Sequence, residues 1–472
     1  MKKLTAISIA AMLLATVGAG CNSSTYVPPE NTSASVAVYS FSLSADDSIM
    51  AGLDTVFFTI DLANARIFNA DSLPVGTRVD ALVPVIRVVE NVSAATLTVK
   101  RINAADTTYD YLSNPDDSID FTHPVTLSLT SPSGAAKRDY TIEVNVHKMT
   151  SDSLEWARSD RRDLPSAFNV PTRQHTARTA DAYYCLTQAG GSWSMATAGH
   201  PEDDWTVAAP AIPANADINS FCATDNALYI LADGILHTSA DGIAWTSTGI
   251  ERHSLYGGYG DILVGTAKTD AGFETALYPG DTRIANPAGL PISGTSMPVG
   301  VRFNIASEEL MLVTGGIAAD GSRSADTWGF DGRSWMKIST KALPKALSGM
   351  AMVPFTTFKV IDVINVLRYS SMLAIGGTDG STVSRTVYVS NDYGMAWAEG
   401  GNLIQLPSYM PAVHGAQAFV EEETLTASRA TRPITEWQCP YIYLFGGTRP
   451  DGTLSNSIWR GTINRLTFKP LQ

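Results

Sequence analysis

Histidine, cysteine and paired carboxylates carry most metal binding and nucleophilic chemistry, and this chain has 7 histidines and 4 cysteines in 472 residues. Their spacing argues against both. His123 and His147 stand alone, and His175, His200, His237, His253 and His414 include no pair at ligand spacing. Cys185, Cys222 and Cys439 are far apart with no Cys-x-x-Cys step, so no metal site and no cofactor is expected. One disulfide among the three is open; buried free thiols are the simpler arrangement. "YPGDTR" and "CATDN" put acidic residues near turns, but no paired carboxylates can be located for acid–base work.

Cys21 is different, because its surroundings point to acylation. Lys2 and Lys3 precede an apolar run from Ile7 to Leu14, and small residues lead to the cysteine, as in a secretory signal over residues 1–20. A cysteine directly after "GAG" predicts a bacterial lipoprotein acylated at Cys21, although Gly18 stands where Leu is usual. Residues 21–35 read as a lipidated polar tether. No later run reaches about 18 apolar residues, so the lipid would be the only membrane attachment. The expected location is the cell envelope, on the outer membrane, facing either the periplasm or the surface.

The elements that must position any site are strands. Glycine numbers 37, charged residues are 17%, and Thr, Ser, Val and Tyr are frequent, which predicts an all-β chain with many tight turns. A net charge of −13 without a basic stripe excludes nucleic acid as a natural partner. Residues 36–148 alternate apolar and polar in short runs such as "SVAVYSFSL", "ATLTVKRI" and "VTLSLTS", broken by "NPDD" and "PSGA". That pattern predicts a two-layer antiparallel sandwich, immunoglobulin-like in architecture only, since no Cys–Trp–Cys spacing is present.

Residues 149–472 repeat. Gly315–Gly316, Gly376–Gly377 and Gly446–Gly447 each end an apolar strand and lead through an Asp-Gly turn to another. Trp328 and Trp459 follow the first and third pair by twelve residues. Glycines there let backbones approach closely, and the aromatic packs between sheets. Trp156, Trp335 and Trp397 each precede a Leu-Pro by eight or nine residues, marking an outer strand and a crossover. "SNDYGMAW" sets Ser390, Asp392, Gly394 and Trp397 in one turn, and "SADGIAW" (239–245) repeats it one residue shorter. Ser390 and Asp392 are expected to bond the turn's own backbone. Hairpins centred near 182, 227, 261, 310, 371 and 441 give six units, with seven still open because the third is faint. One outer strand precedes the first hairpin and none follows the last. The strand near Trp156 would therefore complete the sixth sheet and close a ring.

The Gly-Gly…Trp units resemble Kelch repeats of galactose-oxidase-type propellers, and "SNDYGMAW" resembles the Asp-box of sialidases. The whole chain looks like the Bacteroidetes lipoproteins of unknown function that join an Ig-like domain to a Kelch-type propeller. The resemblance marks a blade and supplies no activity. A sialidase-like site would need an arginine triad, yet Arg302, Arg368, Arg432 and Arg449 lack the Arg-Ile-Pro context of that family. A galactose-oxidase copper site would need two His, two Tyr and a Cys that the histidine spacing does not offer. The favoured reading is a non-catalytic binder of a glycan or envelope protein. Tyr256, Tyr259, Tyr409 and His414, in links around the first strands, would line one mouth. A carbohydrate-active hydrolase or lyase with its site in the funnel is the alternative.

Overall fold

A computed structural model describes residues 34–70, 72–101, 104–147, 153–302, 308–360, 366–426 and 436–464. The signal, Cys21 and the tether up to residue 33 lie outside these, as does Arg432. The chain divides into two compact units between Lys148 and Met149.

In the first unit, β1 (Val38–Leu43) pairs with β4 (Pro84–Val88). The other strands are β2 (Thr59–Asp61), β3 (Arg66–Phe68), β5 (Ala94–Val99), β6 (Thr107–Asp110), β7 (Val125–Thr130) and β8 (Lys137–Glu143). They form one sheet in the order β2-β3-β8-β7-β5-β6. Phe41, Leu97, Leu127 and Tyr140 pack into a common core, fed by the in–out alternation that the sequence displays. One expectation is corrected: the unit is not wholly antiparallel, because β3 runs parallel to β8. Parallel partners need a long crossover, and the chain between Phe68 and Lys137 supplies it.

The second unit holds six four-stranded antiparallel sheets, a propeller-like arrangement. The first contains β10 (Arg173–Arg178), β11 (Tyr183–Ala189), β12 (Ser192–Ala198) and β13 (Thr206–Ala208). The second contains β14 (Ala216–Ala223), β15 (Leu228–Ala232), β16 (Ile235–Ser239) and β17 (Thr246–Glu251). The third contains β18 (Ser254–Tyr259), β19 (Ile262–Thr269), β20 (Gly272–Tyr278) and β21 (Arg283–Ala285). The fourth contains β22 (Val299–Val301), β23 (Leu310–Thr314), β24 (Thr327–Phe330) and β25 (Trp335–Lys337). The fifth contains β26 (Ser348–Val360), β27 (Val366–Thr378), β28 (Val387–Ser390) and β29 (Ala398–Glu399). The sixth takes β30 (Gln417–Thr426), β31 (Glu436–Phe445) and β32 (Ile458–Asn464) from the end of the unit. Its fourth strand is β9 (Ser153–Trp156) from the start, with Trp156 opposite Gly461.

Each sheet packs on two others. Leu186 and Met195 of the first sheet meet Ile218 and Ile230 of the second. Leu236 of the second meets Leu263 of the third, and Val264 of the third meets Trp328 and Phe330 of the fourth. Leu312 of the fourth packs with Met352 and Met372 of the fifth, whose Val353 and Leu373 pack with Ile442 and Trp459 of the sixth. Tyr443 and Phe445 of the sixth meet Tyr183 and Cys185 of the first. Successive residues of β27 therefore face opposite neighbours, which explains why strands such as "MLAIGG" are apolar at every position rather than at alternate ones.

The glycine pairs sit where one sheet meets the next. Gly376 has φ +72°, and a Cβ there would lie 2.2 Å from the carbonyl oxygen of Val413, just before β30. Gly377 donates its N–H to that same oxygen at 3.0 Å. Gly315 repeats this against Leu347, and a Cβ at Gly446 would meet Gln174 on the first sheet. The tryptophans make a matching cross-sheet bond. The Trp335 indole N–H donates to Thr275 Oγ1 at 2.8 Å, and that of Trp397 to Thr327 Oγ1 at 2.9 Å.

In the "SNDYGMAW" turn the Ser390 hydroxyl donates to Asp392 Oδ1 at 2.8 Å and accepts the Gly394 N–H at 2.8 Å. Asp392 Oδ1 also accepts the Ala396 N–H, and Trp397 is fully buried beneath. Ser239, Asp241 and Gly242 make the same set of bonds. "DGRSW" forms a related turn that the sequence patterns missed, with Asp331 Oδ1 accepting from the N–H groups of Arg333 and Ser334.

Candidate functional site

Two concavities in the second unit are large enough for a ligand. One, about 510 Å³, is lined by the first strands of all six sheets, through His175, Asn219, Tyr256, Gly300, Gly349 and Gln417. Its walls are mostly backbone and small side chains. The Gly349 N–H donates to the Gly294 carbonyl, and the Gly415 N–H to the Gly349 carbonyl, which draws the fourth, fifth and sixth sheets together at this point. Across the seam between sixth and first sheets, Gln417 Oε1 accepts from Gln174 Nε2 at 2.8 Å and from the Thr176 N–H at 2.9 Å. Arg178 pairs with Glu421 at 3.1 Å, and the Tyr183 hydroxyl donates to the same carboxylate.

Burial shifts the titratable groups here. Burial holds the His175 imidazole down to about 4, against a smaller opposing effect of Asp217, so it stands neutral. Burial pushes the Cys222 thiol up to about 12, far from the thiolate a nucleophile needs, and does the same to Cys185. Both are free thiols. Among the described residues no group of three or more His, Cys, Asp or Glu could hold a metal ion.

A pH prediction follows. The unfolded chain protonates His175 near 6.5 and the folded chain only near 4, so the unfolded state binds more protons between these values. Stability therefore falls as pH drops from about 6.5 to about 4, by an upper bound of about 3 kcal/mol. Burial depresses His253 and His414 in the same direction. Denaturant midpoints across this window should decline in the wild type and flatten in His175→Gln; an unchanged slope in the variant would remove His175 as the source.

The second concavity, about 570 Å³, lies between the fifth and sixth sheets and is lined by Arg158, Arg161, Arg385, Arg449, Tyr409 and Trp459, among others. Alternate strands run antiparallel, so turns from second to third strands and links from fourth to first strands share one end of the sheets. Arg385 and Arg449 precede third strands, Tyr409 lies in the link to β30, and Arg158 and Arg161 follow β9. All five thus gather at that end. Arg158 stacks over the Tyr409 ring at 4.7 Å, and that ring lies 5.9 Å from Trp459.

The four residues expected to share one mouth are placed apart. Tyr256 lines the first cavity, but it is buried against Trp335 and its hydroxyl donates to the Pro291 carbonyl. Tyr259 donates to the Glu309 carbonyl at 2.7 Å. His414 pairs through its backbone with Thr448. Tyr409 alone lines the second concavity, with its hydroxyl bonded to the Trp156 carbonyl. Of the arginines weighed from the sequence, Arg449 lines that concavity, while Arg432 and the Arg368 side chain lie outside the described residues. Arg158, Arg161 and Arg385 were missed, because nothing in their local sequence signals a common destination.

Two family models match the chain. Residues 150–471 match one described as DUF6242 beta propeller domain, more than half the chain. The chain belongs to the DUF6242 family. Residues 31–144 match the family's N-terminal domain, described as a domain of unknown function. Among curated proteins nothing matches. Family membership agrees with the two all-β units and carries no reaction with it.

Proposed function

We propose that this protein is a non-catalytic cell-envelope lipoprotein, acylated at Cys21, that binds a glycan or an envelope protein through the loops of a six-bladed, Kelch-type propeller with an Asp-box turn. The observation that carries the binding reading is the cavity reached by the first strands of all six sheets, where the histidine is neutral and the thiol protonated. Closure of the six sheets into a ring is supported by three facts: each sheet packs on two others, Gln417 bonds the first sheet, and β9 fills the sixth. Loops on such a ring are held by a rigid scaffold and are suited to recognition.

The test uses soluble residues 36–472 on an array of neutral and acidic glycans, with mass spectrometry of each glycan after incubation. Binding without change of the glycan is the expected result. Cleaved or unsaturated products would replace this reading with that of a hydrolase or lyase. Radiolabelled fatty acid should enter the full chain and not its Cys21→Ser variant; equal labelling would remove the lipid attachment.

A further inference from the structure

We propose that the concavity between the fifth and sixth sheets is a binding site for a carboxylate-bearing saccharide of the uronic acid type. Four arginines line it and no aspartate or glutamate does, in a chain whose net charge is −13. One of the four is neutralised: Arg161 pairs with Asp163 at 2.8 Å. Arg158 and Arg385 form no ion pair with a described carboxylate, and Arg449 forms none either, though it lies close enough to Asp451 to help hold that carboxyl down. Like charges gathered in a concave surface repel, and an anion placed among them relieves that repulsion.

The arginines are prepared in different ways. Arg385 is held in place, donating to the carbonyls of Met410 at 2.6 Å and Pro407 at 2.8 Å, with further N–H groups left over. Arg158 makes no hydrogen bond to a described residue and is steadied by stacking on Tyr409. Arg449 lines the concavity as well, with its Nε buried and no acceptor for it among the described residues. Guanidinium forks match carboxylate geometry, often through two parallel bonds.

The remaining walls favour a sugar over a bare anion. Tyr409 and Pro411 present apolar surface and Ser408 presents a hydroxyl, with Met410, Trp459 and Ser457 buried beneath them. A pyranose uronate has an apolar ring face, several hydroxyls and one carboxylate, which matches all three kinds of wall. The volume, about 570 Å³, suits one or two sugar rings. This site is separate from the axial cavity, so it can fail while binding there holds, and the reverse.

Titration calorimetry of residues 36–472 with oligogalacturonate, and with its methyl ester, tests the proposal, since esterification removes the charge and the carboxylate fork while adding only a methyl group. The acid should bind at least about tenfold more tightly than the ester and weaken on raising salt from about 50 to 500 mM. Arg449→Gln and Arg158→Gln should each weaken the acid about tenfold while thermal melting stays unchanged. Should Arg449→Gln fail to fold, Arg158→Gln decides, because its guanidinium makes no hydrogen bond to a described residue and only stacks on Tyr409. Equal affinity for acid and ester, equal affinity for inorganic sulfate and the oligosaccharide, tighter binding of tetraglutamate, or full affinity in both variants would each overturn it.

Discussion

A chain beginning at Arg158 should fail to give a folded second unit, whereas one beginning at Met149 should fold cooperatively. The two differ by nine residues, and the difference includes β9. Without β9, β32 becomes an edge, and the register Gly461–Trp156 through Asn464–Ser153 loses its hydrogen bonds. Leu154 and Trp156 also leave the core shared with Ile442, Trp459 and Ile463. Burying a Leu and a Trp is worth about 2–5 and 3–5 kcal/mol by truncation. Their sum is of the same order as the whole stability of a domain, roughly 5–15 kcal/mol. The exposed edge adds a route to association. Circular dichroism melts and light scattering read both effects. If the Arg158 chain melts within about 3 °C of the Met149 chain and remains monomeric, β9 has no sealing role.

Trp397→Ala should destabilise the second unit by about 3–5 kcal/mol. Among the described residues Trp397 is the largest fully buried side chain, packed among Leu312, Met352, Met372 and Tyr388. Its indole N–H also reaches across to Thr327 on the fourth sheet. Trp397→Phe separates the two contributions. It keeps most of the apolar volume and loses the hydrogen bond, leaving Thr327 Oγ1 with its bond to Thr314 at 3.0 Å. That variant should cost only about 1–2 kcal/mol. Chemical denaturation gives both numbers. Equal losses in the two variants would mean that the cross-sheet bond, and not packing, is what Trp397 provides.

Much of the second unit was legible because its repeat markers answer to local constraints. Gly376 must have no side chain, since its φ is positive and a carbonyl lies where a Cβ would go. Asp392 must be a short acceptor, because the turn's N–H groups converge on it. Such requirements stamp the same residue types at similar spacing in several of the sheets. The fourth-strand tryptophan before a Leu-Pro was readable for the same reason. In the first unit alternation announced strands but not their order, and so the parallel pairing of β3 with β8 was missed. Strand order depends on long crossovers, which leave no periodic trace.

The sequence by itself determined the all-β strand content and the glycine and tryptophan markers of a repeat, while leaving its count at six or seven, because such markers follow from backbone geometry or burial within a few tens of residues. Only the tertiary structure decided which side chains share a cavity. Arg158 and Arg449 are 291 positions apart in the chain, and they line one concavity because a strand from the start of the unit pairs with the last hairpin. Tyr256 and Tyr409 carry the same side chain and were both expected in links, yet Tyr256 lies in β18, buried between sheets, and Tyr409 lies in a link with Arg158 over its ring. A side chain's partners are set by the packing of whole sheets against one another, and that packing is a sum over contacts no single stretch contains.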